Sequence, residues 1–316
     1  VFAGGSNKIA GTQFESGKNH LFMYDASIGS NNAAQPSSFQ VNFGTTIIAE
    51  IAYEAASTYL PISSRGGGCS GFYIASGTAA VADSFYTSHK GNQSAQITYT
   101  GGRCLMVVSL GNLTENTHYF QSVQNGSGAV DTITGTNPKI DTLITATWTF
   151  PTTSDSDWIL LASCETWSSV AAGARGRIEF RIDPANDSFP SGVQKERTAL
   201  ESEDALDRQS WSYARVHNIT PGSHTIQIIF GKADGQTGNL QFARRGRIIA
   251  ISTAAYDQVL AYSNDDFDTV KVAYSTWENH DGNTGTDLVG KNFIPNQSEP
   301  IVVIANSWMT AGGAGV

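Results

Sequence analysis

The sequence predicts an all-β protein made of tandem antiparallel β-sandwich modules, and three observations predict it. Residues 143–150, LITATWTF, place Ile144, Ala146, Trp148 and Phe150 on one side and Thr145, Thr147 and Thr149 on the other, the period of a strand with one face on a core. No stretch repeats its apolar residues at helical spacing strongly enough to alternate with the strands, which excludes a parallel α/β fold. Residues 77–109 are echoed at 222–252, with Gly77 against Gly222, Phe85 against Phe230 and Gly102-Arg103 against Gly246-Arg247. That spacing, about 144 residues, is the length of a domain and far too long for a solenoid coil.

Taken in order, residues 20–24 (HLFMY) form an apolar strand after a polar turn, with relatives at 158–162 (WILLA) and 301–305 (IVVIA). Residues 143–150 end at Pro151, as GKNFI ends at Pro295, because proline cannot donate to a ladder. Residues 177–183 alternate with Ile178, Phe180 and Ile182 inward, and 38–43 are their counterpart in the first repeat. The charged stretch 194–208, QKERTALESEDALDR, has a weak apolar face and is expected as an exposed loop or a short turn of helix. A strand follows at 211–216, then the turn Pro221-Gly222, where Pro fixes φ and Gly accepts positive φ. Ile226, Ile228 and Phe230 line one face of the next strand, and residues 247–252 are apolar enough for the middle of a sandwich.

Three copies of the WILLA-type strand against two of the 222–252 motif divide the chain into three parts. Residues 1–111 form a module lacking its first strands and 112–255 a complete module. Residues 256–316 are the first strands of a third module or a strand-exchange extension. Both ends are thus expected to be incomplete, in a longer tandem array or with trailing strands that pair with a neighbouring subunit.

Composition narrows the functional classes. Of 316 residues, 15% are charged and 32 are Gly, so the polar surface is supplied mostly by uncharged groups, as suits an exposed particle coat or secreted protein. The formal charge of -9 speaks against nucleic-acid binding, which needs clustered Lys and Arg. No apolar run approaches the length of a membrane span. Cys69, Cys104 and Cys164 share no metal-ligand spacing. Cys104 aligns with Ile248 inside CLMVV and is expected as a small buried hydrophobe.

The apolar strand with a small polar end (WILLASCETW), the aromatic strand WSYARV, GSHTIQIIF and RGRIIAIS together resemble the jelly-roll modules of phage virion and microbial surface proteins. They are more distantly similar to jelly-roll carbohydrate-binding modules. The resemblance covers the second module and, more faintly, the first. It implies a jelly-roll-like sandwich and a non-enzymatic module on a particle or cell exterior, as decoration, fibre or sugar-binding surface.

Constellations that carry chemistry are few. Gly67-Gly-Cys69-Ser-Gly71 has the form of a nucleophile elbow, but residues 72–75 continue as a strand where an elbow needs a helix. The loop 278–287 offers Asp281, Asn283 and Asp287 as oxygen ligands for Ca²⁺, without EF-hand spacing; solvated turn residues are the plainer reading. Arg244, Arg245 and Arg247, with Arg175 and Arg177, suggest a basic strip or a solvated strand face, and strand alternation splits Arg244 from Arg245 across the sheet. Trp167, Trp277 and Trp308, with Arg244 and Arg247, are the candidate ligand or subunit contacts; core packing is the competing reading of the tryptophans. The six histidines show no metal-binding or catalytic spacing.

The sequence therefore predicts a structural protein of a virion exterior, a phage capsid decoration or fibre component, whose partners are copies of itself or other particle subunits. The alternatives are a carbohydrate-binding module pair of an adhesin or secreted enzyme, with glycans as partners, and a subunit of an extracellular microbial filament. No enzymatic activity, cofactor, nucleic-acid partner or membrane partner is expected.

Overall fold

The computed structural model describes residues 8–30, 37–53, 67–77, 84–91, 98–124, 131–133, 140–152, 157–168, 174–184, 196–202, 209–232, 241–255 and 304. Within them the chain forms β1 (Lys8–Ile9), β2 (Asn19–Ser30), β3 (Ser37–Phe43), β4 (Thr46–Tyr53), β5 (Gly67–Ser76), β6 (Phe85–Gly91) and β7 (Thr98–Ser109). Then come β8 (Tyr119–Val123), β9 (Asp131–Ile133), β10 (Ile140–Phe150), β11 (Asp157–Ser168) and β12 (Ala174–Ile182). The series closes with β13 (Glu196–Ser202), β14 (Gln209–Asn218), β15 (Gly222–Lys232) and β16 (Gln241–Ser252). Two short 3-10 turns, Gly11–Gln13 and Thr253–Ala255, complete the described elements.

The strands make four antiparallel sheets, ordered β1-β6-β3-β4, β5-β2-β7, β10-β15-β12-β13 and β14-β11-β16-β8, with β9 also on β16. Leaving aside the three-residue β9, the eight strands from β8 to β16 can be numbered in chain order. The two sheets of this second half then read 1-8-3-6 and 2-7-4-5, the order of a jelly roll made from two Greek keys. The first half follows the same path, 2-7-4-5 and 8-3-6, with the first position unfilled among the described residues.

Alternation decides what each sheet buries. In the second sandwich Ile144, Ala146 and Phe150 meet Trp158, Leu160, Ile178, Phe180, Ile226, Ile228 and Phe230 in one core, as the period-two pattern predicts. Thr145, Thr147 and Thr149 stay exposed on the other side of β10. In the first sandwich Phe14, Phe22, Phe39, Val41, Ile48 and Phe85 fill the core. The run HLFMY lies on β2, the middle strand of its sheet, and WILLA on β11, between β14 and β16. Gly222 closes the turn before β15 with φ +132°, a conformation that side chains rarely adopt, as the Pro-Gly dipeptide requires.

Three local expectations need correction. The charged stretch 194–208 contributes a strand, β13, paired with β12 from Ala174↔Ser202 to Phe180↔Glu196; its backbone joins a ladder that helical periodicity does not register. Residues 178–181 of β12 are buried on both faces, Glu179 and Arg181 included, where alternation alone leaves one face wet. Cys104 is exposed. The ladders explain why: Cys104 pairs with Asp25 as Arg247 pairs with Ser163, so Cys104 corresponds to Arg247 and stands one residue out of the sequence alignment with Ile248. A one-residue slip moves a side chain to the opposite face of the sheet.

Candidate functional site

The functional side chains of the described residues gather where the two sandwiches meet. β4 and β5 are edge strands of the first sandwich, and edge strands carry a row of unpaired backbone groups. The outer face of the β14-β11-β16-β8 sheet covers that edge and supplies its missing partners from side chains. Ser70 N–H donates to Ser210 Oγ at 3.1 Å, and the Ser210 hydroxyl donates back to the Ser70 carbonyl at 2.6 Å. Ile74 N–H donates to Gln121 Oε1 at 2.7 Å while Gln121 Nε2 donates to the Ile74 carbonyl at 3.0 Å. One amide side chain thus stands in for a neighbouring strand. Gln121→Ala leaves both backbone groups unpaired, and a loss of about 1–3 kcal/mol is expected in urea unfolding, with faster hydrogen exchange confined to the Ile74 amide and its neighbours.

Beside these polar contacts lies an apolar patch. Leu21, Met23, Phe72 and Ile74 from the first sandwich pack with Leu161, Ile249 and Ile251 from the second. β11 and β16 are therefore buried on both faces, which is why residues 248–251 of β16 read as a continuous apolar run in sequence. Gly71 marks the tightest approach: a Cβ there would stand 2.4 Å from the Tyr24 hydroxyl and 2.9 Å from Ser163 Cβ. Burial pushes the Tyr24 hydroxyl well above its ordinary value, against the opposing pull of the Arg247 guanidinium.

Next to the patch is a cluster of five charged groups. Arg244 Nε donates to Glu165 Oε2 at 2.6 Å, and Arg245 Nη1 lies 2.9 Å from each Glu165 oxygen. Glu165 Oε1 also accepts the Glu50 backbone N–H at 2.6 Å. Arg244 and Arg245 reach the Glu50 carboxylate at 3.3 and 3.4 Å. Arg247 donates to the Ile48 carbonyl and lies over the Tyr73 ring, 5.2 Å from its centroid. Three cations face two carboxylates, and the third cation meets a carbonyl and a π face, both of which stabilise positive charge.

A bulge brings the arginines together. Cys164 alone on β11 faces Arg245 and Gly246 on β16, between the pairs Ser163↔Arg247 and Glu165↔Arg244. Arg245 adopts φ +53°, which turns its side chain back to the side of Arg244 at a cost of roughly 1–2 kcal/mol. Strict alternation would separate the two, so the expected split of Arg244 from Arg245 does not hold. Arg244 and Arg247, put forward as ligand or subunit contacts, are 7% and 4% exposed and bind the first sandwich of the same chain. The sequence signal that points to this cluster is Glu165 inside the run WILLASCETW, opposite RRGR: a charge embedded among apolar strand residues needs a partner.

Other candidates are dispersed. Trp167 lies on β11 and pairs through its backbone with Phe242 of β16. Trp277, Trp308, Asp281, Asn283 and Asp287 fall outside the described residues, and so does the proposed Ca²⁺ site. Among the described residues no group of three or more His, Cys, Asp or Glu is placed to hold a metal ion. The sequence Gly67-Gly-Cys69-Ser-Gly71 is part of β5. Burial drives the Cys69 and Cys164 thiols upward, with the nearby Glu165 charge acting in the same direction, so neither supplies a thiolate. A thiol-specific reagent should therefore label Cys104 rapidly in the native protein and the two buried cysteines only after unfolding, a difference that peptide mass mapping reads directly.

His224 closes the turn that leads into β15. Its Nδ1 faces Asp183 Oδ2 at 2.5 Å and its Nε2 faces the Thr220 carbonyl at 2.8 Å. Asp183 also accepts the Thr225 N–H at 2.8 Å. With a carbonyl on the second ring nitrogen, this trio acts as a clasp on the turn and leaves no nitrogen free to serve as a base.

No protein-family model and no curated protein matches the chain. Among solved structures, the VP2 subviral particle of infectious bursal disease virus aligns over 77% of this chain and 59% of its own, at 11% identity and a TM-score of 0.30. The insecticidal delta-endotoxin Cry8Ea1 of Bacillus thuringiensis aligns over 71% of this chain and 43% of its own, at 7% identity and a TM-score of 0.27. PNGF-II aligns over 77% of this chain and 59% of its own, at 8% identity and a TM-score of 0.29. The chain thus spans somewhat over half the length of the viral structure, and similarity at this level assigns neither family nor function. What fold and site define is a protein of two β-sandwiches joined edge to face through a buried polar seam.

Proposed function

We propose that this chain is a structural component of a virus particle exterior, a capsid decoration or fibre protein of the kind phages carry, which assembles through its sandwiches with copies of itself or with other particle subunits. The observation that carries this reading is the use of its polar chemistry. The buried ions, the serine ladder and Gln121 hold one sandwich against the other, and the architecture provides rigidity and edges. Thr145, Thr147 and Thr149 give an uncharged wet face suited to an exposed coat. In this reading no residue has a catalytic role, and the seam resists separation as a mechanical joint between modules must.

The test is to purify particles from the source culture, find the chain among their proteins by mass spectrometry, and label it on intact particles with a specific antibody. Stoichiometric copies labelled on the outside support the proposal. A monomer absent from particles that binds defined glycans on an array overturns it in favour of a carbohydrate-binding module pair, and regular filaments on cells overturn it in favour of a microbial surface filament.

A further inference from the structure

The seam buries more positive charge than its carboxylates balance. The guanidiniums of Arg244, Arg245 and Arg247 stand against the carboxylates of Glu50 and Glu165. Arg244 and Arg245 share both acids, whereas Arg247, equally buried, forms no ion pair among the described residues. Its Nη2 donates to the Ile48 carbonyl and its guanidinium covers the Tyr73 ring, contacts that soften the charge without neutralising it. Two neighbours that could turn anionic stay neutral. Burial raises the Tyr24 hydroxyl well above its ordinary value, and burial together with the Glu165 charge does the same to the Cys69 thiol. Asp25 of β2 also acts on that thiol, but it is exposed and pairs with no arginine among the described residues. A guanidinium taken out of water without a counter-charge is costly.

Hydrogen-bond donors gather at the same place. The Nε of Arg247, the Nε of Arg245 and the Oγ of Ser163 are buried and have no hydrogen-bond partner among the described residues. Ser163 pairs with Arg247 across the β11–β16 ladder, so both side chains leave the sheet on one face. Tyr24 brings its hydroxyl to that face from the first sandwich, since a Cβ on Gly71 would lie 2.4 Å from this hydroxyl and 2.9 Å from Ser163 Cβ. The Arg247 charge also acts on the Tyr24 hydroxyl. One guanidinium N–H and two hydroxyls, from β2, β11 and β16, can thus all donate to a single acceptor between the sandwiches.

We infer that the seam binds one small monovalent anion of the halide class, held by Arg247 Nε and the hydroxyls of Ser163 and Tyr24. The valence follows from the charge count, three guanidiniums against two carboxylates. The size follows from the packing at Gly71, where even a methyl group would press on the Tyr24 hydroxyl, so sulfate, phosphate and carboxylates are excluded by bulk. A water molecule satisfies the same donors but leaves the charge in place, which makes it the weaker occupant. Because the ligands come from both sandwiches, binding fastens the joint between them. A ligand held by the folded state alone raises stability with its free concentration. The site goes beyond the assembly reading above and stands without it.

The test is urea unfolding of the full chain at fixed ionic strength, with sodium bromide exchanged stepwise for sodium gluconate, whose anion is too bulky for the site. Once the site is saturated, the unfolding constant should fall about tenfold for each tenfold rise in bromide. Ser163→Ala and Tyr24→Phe each remove one donor and should move the onset to roughly tenfold higher bromide. Arg247→Met removes the excess charge and should abolish the dependence; if it does not fold, the two hydroxyl variants decide. General salt effects act on all variants alike and cancel in the comparison. As a second readout, crystals grown in bromide should show an anomalous peak between Arg247 Nε and Ser163 Oγ. A flat bromide dependence in the unaltered chain, the same dependence in every variant, or ordered water alone at that position overturns the inference. A bromide peak in crystals without the dependence in solution marks an adventitious ion only and overturns it as well.

Discussion

Glu165→Ala is expected to destabilise the protein by about 3–5 kcal/mol, the largest effect of any single charge removal in the seam. Glu165 accepts from Arg244, Arg245 and the Glu50 backbone at once, and all three bonds are buried or nearly so. Without it two guanidinium groups remain in a dry interface and lose the carboxylate that holds them at the shorter distances, with that of Glu50 3.3 and 3.4 Å away. Stranded charge is the expensive state, more so than the absence of an ion pair. Replacing Glu165, Arg244 and Arg245 together by Leu, Met and Leu should therefore cost less than Glu165→Ala alone. Urea unfolding of both variants checks this order, and a triple variant less stable than the single one refutes the account. Because the cluster joins the sandwiches, Glu165→Ala should also raise hydrogen exchange on β4 and β5 more than in the β10-β15-β12-β13 sheet.

Trp158→Ala is expected to cost about 3–5 kcal/mol as well, by a different route. Trp158 is fully buried, with its ring 4.7 Å from Phe150 edge-on and 5.5 Å from Phe120, so truncation leaves a cavity among three strands from both sheets of the second sandwich. The loss should appear as a lower urea midpoint and as weakened protection of β8, whose Phe120 loses one of its three ring neighbours among the described residues. Trp158→Phe retains most of the packing and should recover at least half of the loss. If β8 protection is unchanged in Trp158→Ala, the ring does not anchor that strand.

The comparison between Trp158 and His20 also shows what the sequence conveys and what it hides. Both residues open an apolar run, and the shared pattern places both on a middle strand of a sandwich. Only the ladders reveal that one faces Phe120 of a neighbouring strand and the other an edge with no strand beside it among the described residues. The seam was equally indirect in sequence: Gln121, Ser70 and Ser210 are ordinary polar strand residues, lying 47 and 140 positions from the groups they pair with. No local pattern encodes such a separation.

The candidate surface of Arg244 and Arg247 became an interior joint for the same reason. The sequence by itself determined the all-β class, most of the strands and the inward faces of the regular ones, because side-chain alternation and turn chemistry act over a few residues. Tertiary structure decided which edges are covered and where the buried charges meet. Those outcomes depend on the register between distant strands and on a single bulge at Arg245, which reverses the face that alternation assigns.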